Sequence, residues 1–293
     1  MAQNTQPPRN AAPIITTVPK DISEKYHRPS KHLPLKNPFS YQLFAANDSD
    51  YVFKTPTDVI YAYYGIVKEA SNMEGFAGGC GTIGFAKAPY EIAYRLLDRD
   101  IRKHIELDQF IQTFEGVGHI TLLKLHLLPK DSTSETIRHY MVEVELITGP
   151  KINEDDETPP NPITYFAYYY GIITVIKNEI GWHIQRIKYY PEDFLCAPYH
   201  SWFYDSNAIV KIIYTEDLKL IQSVSKITET GDIISYYCTD GQHQYRLDFV
   251  VLVNGHEILI NESILLQNGT YKNIDFIGDG WEHLKLNPDE DKK

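Results

Sequence analysis

Between Thr164 and Tyr190 the chain runs as an aromatic strand, a four-residue turn Asn178-Glu179-Ile180-Gly181, and a second strand opening on Trp182. Asn and Gly between two such runs are hairpin signals. The first strand is apolar on both sides of its period-two alternation. Phe166, Tyr168, Tyr170 and Ile172 fall on one side, and Tyr165, Tyr169 and Ile173 on the other. A strand of that kind must be covered twice. The Tyr168/Tyr170 side is expected to face an interior, and the Tyr165/Tyr169 side to meet the C-terminal region or a second subunit. Gly171 at its centre predicts a bulge or bend, the usual device for curving a sheet.

The segment before this hairpin supplies its cover. Residues 1–50 are Pro-rich and carry no sustained period, which predicts an extended or disordered arm. Thr55-Pro56-Thr57-Asp58 then offers a capping hydroxyl followed by Pro in a first helical turn. That helix carries Val59, Ile60, Tyr63, Tyr64, Ile66 and Val67 on one face. A second is predicted from Pro89 to Leu97, and a third from Leu107 to Glu115, stopped by Gly116 and Gly118. Strands follow. Leu122–Leu128 sets Leu123, Leu125 and Leu127 against Lys124 and His126, and Tyr140–Ile147 sets Val142, Val144 and Leu146 against Glu143 and Glu145. Each should bury one face and wet the other, where Lys124 can pair with Glu143 or Glu145.

Beyond Pro191 lies an aromatic connector, Tyr199, Trp202, Phe203 and Tyr204, too apolar for a loose tether. Four further runs, Lys219–Ile227, Ile233–Cys238, Tyr245–Val253 and Glu257–Leu265, are separated by Thr230-Gly231-Asp232, Asp240-Gly241 and Asn254-Gly255. This is an antiparallel meander. The expectation is an α+β chain in three parts: an arm at 1–50, a domain of helices on a curved antiparallel sheet at 51–195, and a β-rich domain with an acidic tail at 196–293.

The net charge of −11, from 39 acidic and 28 basic residues, argues against nucleic-acid binding, which requires a basic surface, and leaves room only for a local patch. No apolar run approaches the roughly 18 residues of a bilayer span. Met1–Asn10 lacks the apolar core of a signal peptide. The protein reads as cytoplasmic if Met1 is the native start, and as extracytoplasmic if a leader was removed. The three cysteines show no metal spacing. An odd count suits a reduced compartment, with cysteine a small buried hydrophobe. Cys80 and Cys196 both sit in irregular backbone that can accommodate a disulfide, so a Cys80–Cys196 bridge is the candidate pairing outside the cytosol. No spacing predicts a cofactor or a metal.

With the elements in this order, residues 56–190 resemble the nuclear transport factor 2-like superfamily, also called cystatin-like or ketosteroid-isomerase-like. The likeness rests on the helix order, on Leu107-Asp108-Gln109-Phe110, and on Gly171-Ile172-Ile173-Thr174-Val175 followed by Gly181-Trp182-His183-Ile184. It covers a little under half of the chain, and residues 196–293 resemble no named family. The resemblance implies a cone of three helices on a curved sheet, enclosing a pocket. Its members include enzymes, transport adaptors, ligand-binding proteins and assembly modules, so fold alone leaves function open.

An isomerase- or dehydratase-like enzyme would need a base on the concave wall and an oxyanion donor. Tyr63 or Tyr64, Asp98, His104, and Tyr168 or Tyr170 are the candidates by position, yet no Asp or Glu is expected on a concave strand face. The leading reading is therefore a non-catalytic binding or assembly protein with a protein partner or homodimer contact through Tyr165, Tyr169, Tyr199, Trp202 and Phe203. The alternative is an enzyme or carrier holding a small hydrophobic ligand among Tyr64, Tyr168 and Tyr170.

Overall fold

The computed structural model describes residues 35–45, 51–78, 84–129, 135–152, 164–192, 205–277 and 284–286. Its elements are helices and two antiparallel sheets. Cys80, Cys196, Tyr199, Trp202 and Phe203 lie outside the described residues, as does most of the 1–50 arm. Among the described residues no helix is long and apolar enough to cross a membrane.

The first sheet is a four-stranded meander of β1 (Val117–Leu127), β2 (Ile137–Thr148), β3 (Tyr165–Lys177) and β4 (Trp182–Pro191). Among the described residues five helices precede it: α1 (Tyr41–Ala45), α2 (Pro56–Val67), α3 (Ala88–Arg95), α4 (Arg99–Arg102) and α5 (Leu107–Gln112). The signals at α2 act as read, since Thr55 Oγ1 accepts the Asp58 N–H at 3.2 Å and Pro56 occupies the first turn. At α5 the Glu106 N–H donates to Gln109 Oε1 at 3.0 Å in a capping box. The helices bury Val59, Ile60, Tyr63, Ile66, Tyr90, Ala93 and Phe110 against Ile120, Val142, Val144, Ile173, Val175 and Ile184 of the sheet.

The end of the arm is not extended. Residues 35–45 dock on this layer, with the Leu35 N–H on the Leu122 carbonyl, Asn37 Nδ2 on the Tyr61 carbonyl, and Phe44 buried among Phe39, Tyr51 and Phe53. Gly65 makes this possible. A Cβ there would stand 2.4 Å from the Phe39 carbonyl oxygen.

The second sheet is a five-stranded meander: β5 (Ser223–Thr230), β6 (Ile233–Thr239), β7 (Gln244–Val251), β8 (Glu257–Leu265) and β9 (Tyr271–Asn273). One face carries α6 (Ser206–Ile209), which continues without a break into a π-helix over Val210–Asp217. There Ile209, Val210, Ile213 and Tyr214 pack on Tyr236, Cys238, Leu247, Phe249 and Leu259. Cys238 is a free cysteine, and its burial pushes the thiol up to about 12, which makes it a small apolar filler.

The sheets meet face to face. Leu128, Met141 and Ile172 of the first pack on Val250, Leu252, Ile258 and Ile260 of the second, and Leu123 and Tyr168 pack on Val253. The second cover for β3 is thus the C-terminal sheet. This seam overturns the expectation of a wet face on β1 and β2. Glu143 is fully buried in it, accepting the Val253 N–H at 2.7 Å with Lys124 Nζ 3.8 Å away. Lys124 also donates to the Val251 carbonyl and pairs with Asp232 at 3.2 Å. On β1 a bulge at Leu123 breaks the expected leucine alternation, sending Leu123 to the seam while Leu122 and Leu125 pack with the helices.

Candidate functional site

β2 and β3 settle which side of each strand faces the helices. Residues opposite one another in an antiparallel pair share a face. Val142 stands opposite Gly171, Val144 opposite Tyr169, and Leu146 opposite Ala167. Met141 stands opposite Ile172, Glu143 opposite Tyr170, and Glu145 opposite Tyr168. The Tyr169/Ile173 side therefore looks toward the helices and the Tyr168/Tyr170 side toward the second sheet, which inverts the expected orientation.

Tyr168 donates its hydroxyl to Glu145 Oε2, and Tyr170 stacks on Tyr190 at 5.6 Å. Neither belongs to the interior beneath the helices, so their assignment to a pocket there is corrected. Tyr169, expected at an outer contact, lines that interior. Tyr165 sits at the start of β3 with 48% of its surface exposed.

The interior holds a cavity of about 570 Å³. Tyr63 and Leu97 contribute to its wall with Ile101, Ile105, Phe110 and Phe114 of the helical layer. The sheet contributes Val117, Ile120, Val144, Leu146, Ala167, Tyr169, Ile184, Ile187 and Tyr189. The volume falls within the range of small-molecule sites, and the lining is mainly apolar, as in such sites. Two local features shape it. An extra residue on β4, Gln185, makes a bulge opposite Thr174/Val175. Gly171 is not itself the bulge; it admits close approach of β4, since a Cβ there would lie 1.9 Å from the Lys188 carbonyl oxygen.

Polar groups are few. Tyr189, opposite Gly171, is 36% exposed as a residue, and its hydroxyl meets the Tyr64 hydroxyl at 2.6 Å. Desolvation holds Tyr63, Tyr64 and Tyr189 well above the ordinary phenol range, so all three stay protonated at neutral pH. Thr113 and Thr148 already donate to the Phe110 and Gly116 carbonyls, at 2.6 and 2.7 Å, leaving only acceptor capacity. Glu115, about half exposed and 3.9 Å from Lys151, and Arg186 are the charged residues of the described lining.

The other sequence candidates lie elsewhere. Asp98 is buried rather than solvated, and its carboxylate accepts the Asp100 N–H at the start of α4. His104 is exposed, with Nδ1 on the Asp100 carbonyl. Among the described residues no group of three or more His, Cys, Asp or Glu side chains is placed to hold a metal.

Sequence reasoning missed Tyr189, Ile187 and Leu146 as cavity residues. The signal for Tyr189 was available: a glycine in mid-strand calls for a large residue across from it. Compared with known proteins, the sequence matches no family model, and no curated protein matches significantly. A solved structure described as "Ntf2 like protein involved in plasmid conjugation" aligns with 70% of this chain and 96% of that chain, at 12% identity and a TM-score of 0.21, too low to establish a common fold.

Proposed function

We propose that the chain is a non-catalytic binding protein whose helix-backed sheet, at 51–195, is a nuclear transport factor 2-like cone, with 196–293 as a second domain docked on its back. The cone would hold a small hydrophobic ligand. The observation that carries this reading is the apolar cavity of about 570 Å³, whose buried hydroxyls are held neutral. In a Tyr–Tyr hydroxyl pair one hydrogen bridges the two oxygens and the other is left to donate. The Tyr64–Tyr189 pair would thus offer a ligand carbonyl or hydroxyl one donor, and the remaining contact would be apolar.

The test is titration of the purified chain with N-phenyl-1-naphthylamine, a neutral apolar fluorophore. Saturable enhancement is expected, abolished by Ala167→Trp, which fills the cavity, with far-ultraviolet circular dichroism unchanged. Tyr189→Phe should retain apolar binding while weakening ligands that carry a carbonyl. Absence of saturable binding in the parent chain overturns the reading.

Tyr165 and Phe166, 48% and 57% exposed on opposite faces at the start of β3, support a protein contact at that end of the strand. Such a contact, to a partner or a second copy, would weaken in Tyr165→Ser, and light scattering would show the change in self-association.

A further inference from the structure

A second, smaller concavity lies apart from the cavity, where the docked 35–45 segment meets α3 and α4. It encloses about 100 Å³. Aromatic rings of Phe44, Tyr51 and Phe53 border it, and Arg95, Arg99 and Arg102 converge on it with His183. The spacing explains the convergence. Arg95 ends α3, and Arg99 and Arg102 open and close α4, keeping a helical four-then-three interval across the break. Asp98 fixes that break by capping α4 with its carboxylate and donating its own N–H to the Ile184 carbonyl at 2.7 Å.

Three guanidinium groups around one small space repel unless a negative charge joins them. Glu91 answers Arg95 at 2.7 Å. Among the described residues, Arg99 and Arg102 have no carboxylate partner, and Arg102 Nε is buried with no hydrogen-bond acceptor. A buried donor left without an acceptor is rare in folded proteins and calls for a missing group.

We propose that this concavity binds a phosphate group. Guanidinium forks match the paired oxygens of an oxyanion. One arginine suffices for a planar carboxylate, whereas several donors arriving from different elements suit a tetrahedral anion. The space is about a third of the smallest ordinary ligand pocket, so it takes a single anionic group and not a whole drug-sized molecule. That group is either free phosphate or the headgroup phosphate of a lipid, whose apolar part would lie along Phe44, Tyr51 and Phe53.

Calorimetry on the full chain with inorganic phosphate tests the first source. Flotation with phosphatidylcholine vesicles, with and without phosphatidic acid, tests the second. Saturable binding in at least one arm is expected. Arg99→Gln and Arg102→Gln should each weaken it about tenfold, the loss of one charge-assisted hydrogen bond. Lys103→Gln removes the same charge from an exposed neighbour tied to Asp100 and should leave binding unchanged. Binding of phosphate alone assigns the free anion, and arginine-dependent binding to phosphatidic acid alone assigns the headgroup. The proposal fails if neither arm shows saturable binding, or if all three variants lose binding equally, as diffuse charge would require. Should Arg102→Gln not fold, Arg99→Gln decides, because its side chain is exposed.

Discussion

The two halves of the molecule solve the same problem in opposite ways. Each lays helix on one face of an antiparallel meander and places a tyrosine hydroxyl beneath it. Under the second sheet the space is filled: Tyr214, Leu247, Phe249 and Leu259 are fully buried, and the Tyr214 hydroxyl ends on Glu262 Oε1 at 2.6 Å. Glu262 in turn accepts from Lys285 and from the Phe276 N–H, so its oxygens are used. Under the first sheet several helices span four long strands and do not close, and Tyr189, hydrogen-bonded to the buried Tyr64, borders open space. The difference shows that a filled core needs a closing polar network at its end, while a cavity needs a wall of small or half-buried side chains such as Ala167 and Leu146.

Truncation breaks this comparison most directly. Phe249→Ala, in the filled core, should cost about 3–5 kcal/mol, the transfer term plus an unrelaxed void. Leu146→Ala, already facing space, should cost only about 1–2 kcal/mol of transfer. Urea unfolding measures both, and equal losses would mean that the first core is as tightly filled as the second. Next in size is Glu262→Ala, expected to cost about 3 kcal/mol by leaving the Tyr214 hydroxyl unpartnered in a dry interior and Lys285 with Asp275 as its remaining carboxylate partner. A loss below about 1 kcal/mol would show that water enters there and that the second core is not closed.

Much of this fold is written in the sequence, but not evenly. Thr55-Pro56 fixed the start of α2, and the Asn178–Gly181 turn the β3–β4 hairpin, because capping and turn chemistry act through nearest neighbours. The orientation of β3 was not legible. When Ile172 and Ile173 are both buried, hydrophobicity carries no information on which side faces which layer, and only the pairing with β2 decides. The seam was hidden for a related reason. Lys124, Glu143 and Glu145 look like a solvated face, and nothing local says that another sheet will cover them. For the cavity, the apolar pattern predicts burial and cannot distinguish burial against atoms from burial against a void.

Gly65 tests how the first half keeps its cover. Alanine in a helix normally gains about 1 kcal/mol over glycine. Here the added methyl meets the backbone oxygen of Phe39, which no side-chain rotation can relieve. Gly65→Ala should therefore release the 35–45 segment and unbury Phe44, for a net loss of about 1–2 kcal/mol. Limited proteolysis should find new cleavage between residues 35 and 45. A higher melting temperature without new cleavage would show that the segment contributes nothing to the fold.

The smallest effect concerns the seam that joins the halves. Burial raises the Glu143 carboxyl above its ordinary value near 4.5, with Lys124 opposing the shift. The folded chain then binds more protons than the unfolded chain above that value, so this group favours the fold at low pH and withdraws its contribution as pH climbs through the raised range. Asp232, held below the ordinary range first by His126 and then by Lys124, works in the other direction, and its contribution is lost as pH falls. Glu143→Gln keeps an acceptor for the Val253 N–H and removes one of the two titrations. Melting temperature should fall less steeply in the variant from about pH 4.5 to 7, while the drop below about pH 4, owed to Asp232, persists when the series is carried into acid. Parallel curves would mean that Glu143 is ionised in both states, so that Lys124 outweighs desolvation and the seam is held by an ion pair instead of a neutral carboxyl.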